Sequence, residues 1–199
     1  MSLTAVRASA LDSAQLAAVR QIYAGAFPAE LRVPFAELDD GAPSGGLVVG
    51  LDGDVPAGFA SLRRLDAAMF VRYFAVAAAR RRQGSGRLLW QLLPGAVPGW
   101  PGQAVLEVED PAHASDPAEQ RVRRDRIAFW RSCGTELLPV PGYVMPDLTG
   151  AGPEPMLLMA APACAGAQLR RLVGAIYAGR YGLAPADPLV RQALASVPD

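Results

Sequence analysis

The sequence predicts a mixed α/β fold with a run of antiparallel strands ahead of a β-α-β centre, and three observations predict it. Hydrophobic residues make up 51% of the 199 residues, ample for a packed core. Strand-like apolar runs alternate with segments whose apolar residues recur at helical spacing. The resulting order, β-α-(α)-β-β-β-α-β-α-β-β, mixes hairpin connections with a helical crossover.

Thr4 to Ala8 reads as a short strand. Asp12 with Gln15 forms a capping-box pair before Leu16, Val19, Ile22, Tyr23 and Phe27, which repeat at helical spacing. Pro28 and Pro34 interrupt, with room for a short second helix at Phe35 to Leu38, and Asp39 to Gly46 is a loop. Leu47 to Leu51 and Val55 to Leu65 are strands joined by the hairpin turn Asp52-Gly53-Asp54. Met69 to Val76 is another strand. Gly84 to Leu93 is a helix with Leu88, Leu89, Leu92 and Leu93 on its buried side and Pro94 ending it. Gln103 to Glu109 is a strand, Asp110 to Pro117 a loop, and Ala118 to Cys133 a helix closed by Gly134. Thr135 to Val140 and Pro155 to Ala161 are the last strands, separated by a Pro/Gly-rich excursion. An amphipathic helix follows from Ala165 to Tyr181 through Leu169, Leu172, Val173, Ile176 and Tyr177, and Pro188 to Val197 forms one more.

Composition excludes several function classes. Basic and acidic residues number 19 each, for a net charge of +0, which argues against a general nucleic-acid or membrane-surface binder. Every basic residue is an arginine, and lysine and asparagine do not occur. With abundant Ala, Gly and Pro this fits a GC-rich genome, so arginines count by position, not number. Cys133 and Cys164 are the only cysteines and His113 the only histidine, too few for a structural zinc site; no metal is expected. Met1 to Arg7 lacks a leader's apolar core, and no apolar stretch approaches the ~20 residues of a membrane span. The expectation is a cytoplasmic protein with reduced thiols.

The most informative segment is Val76 to Arg87. An apolar strand feeds the basic turn Arg80-Arg81-Arg82-Gln83, which opens through Gly84 and Gly86 into a leucine-rich helix. Such a junction aims backbone N–H groups and the positive end of a helix at one point, a site for a pyrophosphate. The absent Cβ atoms at the glycines let phosphates approach the main chain. Neither a Rossmann fingerprint, which needs G-x-G-x-x-G at a first strand, nor a P-loop, which needs Lys after its last Gly, fits these residues.

This order and turn resemble the GNAT superfamily of acetyl-CoA-dependent N-acetyltransferases. The family motif Q/R-x-x-G-x-G/A reads here Arg81-Arg82-Gln83-Gly84-Ser85-Gly86, and the aromatic pair before a glycine reads Phe129-Trp130-Arg131-Ser132-Cys133-Gly134. The resemblance implies a GNAT-type mixed, mostly antiparallel twisted sheet of about seven strands flanked by helices. It covers Thr4 to Ala161, implying a domain over residues 1–162 and leaving 163–199 as a C-terminal helical extension packed on the domain or at a dimer interface. It also implies acetyl-CoA as cosubstrate. Backbone N–H groups from Arg82 to Arg87 (Arg82, Gln83, Gly84, Ser85, Gly86, Arg87) would hold its pyrophosphate. Arg81 and Arg87 would add charge or remain solvated. The main chain of Phe74, Ala75 and Val76 would pair with pantetheine, the Val76 N–H would polarise the thioester, and Phe129 and Trp130 would line the cofactor site.

Acetyl transfer to an amine needs a base for the ammonium and a proton for the thiolate. Glu107 and Glu109 alternate on one strand face. Glu109, nearer the strand's C-terminal end, is the first candidate for the base and Glu107 the second. Trp130 stands where many relatives carry the tyrosine that protonates the sulfur. Either another group donates, with Tyr143 the first candidate, or the thiolate takes its proton from water. Tyr73 is expected in the core, Cys133 as a small buried hydrophobe, and His113 as a surface-loop residue with an acceptor-side role still open. Arg121, Arg123, Arg124 and Arg126 are expected on a solvated helix face.

The implied function is transfer of an acetyl group to a primary amine, small molecule or peptide, by direct attack in a ternary complex in a bacterial cytoplasm. The alternative is a non-catalytic acyl-CoA-binding or sensing module, which the absent tyrosine motivates. No nucleic-acid or membrane partner is expected, and a homodimer through the C-terminal helices is possible.

Overall fold

The first helix is set by its cap. Asp12 Oδ1 accepts from the Gln15 N–H at 2.8 Å while Gln15 Oε1 accepts from the Asp12 N–H at 3.1 Å, the reciprocal pairing anticipated from the sequence. The computed structural model describes residues 2–39, 45–147, 150 and 152–198; most of the loop expected at Asp39 to Gly46 lies outside them. The chain forms two compact units, the first comprising Met1–Arg64 and Val71–Trp100 and the second Leu65–Phe70 and Pro101–Asp199.

The first unit contains β1 (Thr4–Arg7), α1 (Ser13–Ala26), β2 (Gly46–Asp52), β3 (Val55–Leu65), most of β4 (Ala68–Val76) and α2 (Ser85–Ala96). β1 pairs antiparallel with β2, and β2 with β3, Val49 opposite Phe59. α1 lays Val19 and Tyr23 on a core of Leu38, Leu47, Val49, Phe59, Tyr73 and Ala75. The two tyrosine rings meet edge to face at 5.3 Å, and their buried hydroxyls are satisfied by the carbonyls of Val33 and Leu31. Phe35–Leu38 forms a single 3-10 turn over the residues where a short helix was expected.

Two glycines seat α2. Gly50 faces Gly58 across the β2–β3 ladder, leaving a bare strip on the sheet. Leu89 enters it: a Cβ at Gly50 would stand 3.1 Å from Leu89 Cδ1, and one at Gly58 3.4 Å from Leu89 Cδ2. Leu89, Trp90 and Leu93 are the large buried side chains of α2, whereas Leu88 and Leu92 are only half-buried, so the buried face is turned from the expected one. Pro94 does not end the helix, which runs on to Ala96. Leu93 and Val97, buried on either side of it, hold the last turn in place despite the missing N–H.

The second unit contains the head of β4, β5 (Ala104–Glu109), α3 (Pro117–Ser132), β6 (Glu136–Leu137), β7 (Val144–Met145), β8 (Glu154–Ala161), α4 (Gly166–Tyr181) and α5 (Pro188–Ser196). β8 pairs antiparallel with β5, β6 and β7. Eight strands are therefore present among the described residues, where about seven were expected, hydrogen-bonded in the order β1-β2-β3-β4-β5-β8-β6 with β7 on β8. The extra one, β7, lies in the Pro/Gly-rich excursion. The strand expected over Thr135 to Val140 shrinks to two residues, because Pro139 has no N–H to extend the ladder. Leu169, Leu172, Val173, Ile176 and Tyr177 of α4 bury the predicted stripe against Val105, Leu158 and Ala160.

Candidate active site

In the first unit the central turn is built by left-handed backbone. Arg82 (φ 58°) and Gly84 (φ 82°) both lie at positive φ, and the chain then enters α2, whose first hydrogen bond runs from Leu88 N–H to Gly84 O at 3.0 Å. The amides of Ser85, Gly86 and Arg87 therefore precede the intrahelical ladder. A Cβ at Gly84 would meet no protein atom within 4 Å, so the space beside this backbone is open.

The side chains of the turn mostly brace it. Arg81 Nε donates to Val76 O at 3.2 Å, Gln83 Nε2 to Ala79 O at 2.9 Å and Ser85 Oγ to Arg80 O at 3.0 Å. Arg80 pairs with Asp52 at 2.8 Å, whereas Arg82 and Arg87 are exposed. On β4, Val71, Tyr73 and Ala75 are buried and Arg72, Phe74 and Val76 half-buried. Gly58, which sequence reading passed over, lets β3 approach that strand: a Cβ there would stand 2.6 Å from Ala75 O and 3.2 Å from Val76 Cα.

In the second unit the two carboxylates of β5 have different surroundings. Glu109 is ion-paired with Arg126 of α3. Glu107 is enclosed by tyrosines: the Tyr143 hydroxyl donates to its Oε1, and the Tyr181 hydroxyl donates to the same oxygen at 2.6 Å. Burial raises the proton affinity of Glu107, opposed by these two hydrogen bonds and by the nearby Arg180 charge. Burial and the carboxylate's charge push both tyrosines above the usual phenol range, so they stay protonated donors.

Two candidates from the sequence, Glu107 and Tyr143, are thus brought together, while Glu109 is engaged elsewhere. Tyr181 was missed; its one sequence signal is its place four residues after Tyr177, on the same helical stripe. Phe129 is half-buried and Trp130 buried, their rings 5.0 Å apart. Cys133 is half-buried rather than buried, and its N–H caps α3. His113 is exposed as expected. Arg123 departs from the solvated face: only 11% of its side chain is exposed, and it donates to Asp110 O at 2.8 Å and to Glu119 at 2.7 Å. Ser115 donors, with Arg123, hold the Glu119 carboxyl down at about 2.

The acetyltransferase (GNAT) family model matches residues 16–134; the chain belongs to this family of acyl-CoA-dependent N-acyltransferases. Solved structures share the fold. A protein from Bacteroides thetaiotaomicron assigned to the GNAT family is 23% identical, covers 92% of this chain and 100% of its own, and superposes with a TM-score of 0.69. The ribosomal-protein-S18-alanine N-acetyltransferase of Escherichia coli is 23% identical, with 83% and 97% covered and a TM-score of 0.51. An aminoglycoside 6'-N-acetyltransferase complexed with coenzyme A is 16% identical, with 80% and 96% covered and a TM-score of 0.54. No curated protein matches the chain. Among the described residues no helix is long and apolar enough to cross a membrane, and no group of three His, Cys, Asp or Glu could hold a metal ion.

Proposed function

We propose that the protein transfers an acetyl group from acetyl-CoA to a primary amine, on a small molecule or a peptide, by direct attack in a ternary complex. The observation that carries this reading is the open space beside Gly84, at a left-handed turn that leads into the N-terminus of α2. That cradle suits a pyrophosphate, which the amides from Arg82 to Arg87 would bind without needing particular side chains. Arg82 and Arg87 add exposed positive charge, while Arg81 supports the turn through Val76 O. The main chain of Phe74, Ala75 and Val76 would pair with the pantetheine arm, and Phe129 and Trp130 would flank the cofactor.

Bound acetyl-CoA supplies the activated acyl group. Glu107 takes the proton released as the amine nitrogen bonds to the acyl carbon and the C–S bond breaks. Tyr143 returns a proton to the sulfur and recovers its own from Glu107, so the pair gains no net proton. Its hydrogen bond to Glu107 supports this coupling. Glu109, engaged by Arg126, is the comparison residue.

The test is thiol release from acetyl-CoA over a panel of amines, with calorimetric titration of CoA alongside. Amine-dependent release that Glu107→Gln lowers by about a hundredfold or more is expected. CoA binding with no release on any amine would instead favour a non-catalytic acyl-CoA-binding module.

A further inference from the structure

We propose that Tyr181 is a positioning residue for Glu107, so that the C-terminal helix α4 completes the acid–base site. The proposal rests on the reading of Glu107 as the base. Residues 166–181 lie beyond the segment matched by the family model, which ends at residue 134.

The geometry is specific. Tyr143 and Tyr181 approach from different segments, and both donate to Oε1 of Glu107. Two donors on one oxygen restrain the carboxylate, and in the proposed reaction Oε2 would be the atom that accepts the proton. The helix that delivers Tyr181 is itself anchored one turn earlier. Tyr177 OH donates to Val144 O at 2.8 Å and accepts from Val144 N–H at 3.2 Å. Its ring lies 5.2 Å from Tyr143 and 6.2 Å from Tyr181, forming a ladder of three tyrosines. Gly182, at φ 69°, ends the helix immediately after Tyr181, and its N–H bonds to Ala178 O at 3.0 Å. The Arg180 guanidinium lies 5.1 Å from the centre of the Tyr181 ring.

Tyr143, Tyr181 and Arg180 all favour the charged carboxylate, against its burial. Tyr177 spends its hydroxyl on Val144 and belongs to the frame. Removing the Tyr181 hydroxyl deletes one charge-assisted hydrogen bond to the carboxylate. The proton affinity of Glu107 must then rise, and the fraction able to accept a proton at neutral pH must fall.

The experiment is the pH profile of kcat/KM for Tyr181→Phe, Glu107→Gln and the unaltered enzyme, with acetyl-CoA affinity and thermal melting in parallel. Tyr181→Phe should move the acidic limb up by about one pH unit, a rate loss of about tenfold below the limb, and leave acetyl-CoA affinity unchanged. Fluorotyrosine at position 181, a stronger donor that keeps the ring, should move the limb down. An unmoved limb in both variants, with Glu107→Gln lowered in kcat, would overturn the positioning role while leaving Glu107 as the base. A Glu107→Gln variant with undiminished kcat would overturn the base reading itself.

Discussion

Arg126 on α3 is ion-paired with Glu109, and this single contact separates two carboxylates that the strand period places on one face of β5. Glu109 is ion-paired with a guanidinium; Glu107, two residues earlier, takes its hydrogen bonds from two neutral hydroxyls, with the Arg180 charge nearby. Burial raises the proton affinity of Glu107.

The two therefore differ on mutation. Glu107→Gln should lower kcat by about 10²–10⁴-fold, the range for loss of a general base. Glu109→Gln should cost less than about tenfold by the same scale. Steady-state thiol release with each variant, alongside CoA titration, checks both, and neither should shift CoA affinity by more than about twofold.

The pH dependence has a definite sign. Burial raises Glu107 above its ordinary value of 4.5, and a base works deprotonated, so the acidic limb of kcat/KM should fall above the usual carboxylate range. The same shift acts on stability. The folded protein binds more protons than the unfolded chain between 4.5 and the raised value, so this contribution is present below 4.5 and is lost as pH rises through the folded value. Glu107→Gln should flatten that part of the stability curve, read as denaturant midpoints across pH.

Gly84→Val should raise the Kd for CoA by more than about tenfold, since a branched side chain fills the space offered to phosphate and strains a left-handed position. Gly102 provides the control, with φ 80° and no atom within 4 Å of its missing Cβ. Gly102→Val should cost similar stability but leave CoA affinity alone. Calorimetric titration of both variants separates strain from occupied space.

Gly58→Ala meets backbone rather than empty space. The new methyl would stand 2.6 Å from Ala75 O, and neither strand can yield without moving Val76. A loss of about 1–3 kcal/mol is expected, as for overpacking elsewhere, together with weaker acetyl-CoA binding. A thermal melt with an affinity measurement checks this, and an unchanged melt would show that the strands separate without cost.

Local signals in the sequence were accurate wherever the cause was local. The Asp12–Gln15 box, the Asp52-Gly53-Asp54 hairpin, the Gly134 stop and the α4 stripe each depend on residues a few positions apart. Pro94 misled because its cost is offset by burial of Leu93 and Val97, which sequence spacing does not reveal. β7 was missed because two residues in a Pro/Gly-rich stretch have no period to detect, and only pairing with β8 makes them a strand.

The sequence alone determined the order of the elements other than β7, the turn at Arg81 to Gly86 and thus the family, because these depend on short-range periodicity and on glycine's access to positive φ. Only the tertiary structure gave the two glutamates different surroundings. Strand alternation makes Glu107 and Glu109 equivalent, and what distinguishes them comes from afar: Arg126 lies 17 residues from Glu109, Tyr143 lies 36 and Tyr181 lies 74 from Glu107. Proton affinity is set by whatever the fold brings against a carboxylate, and that is a property of packing, not of spacing along the chain.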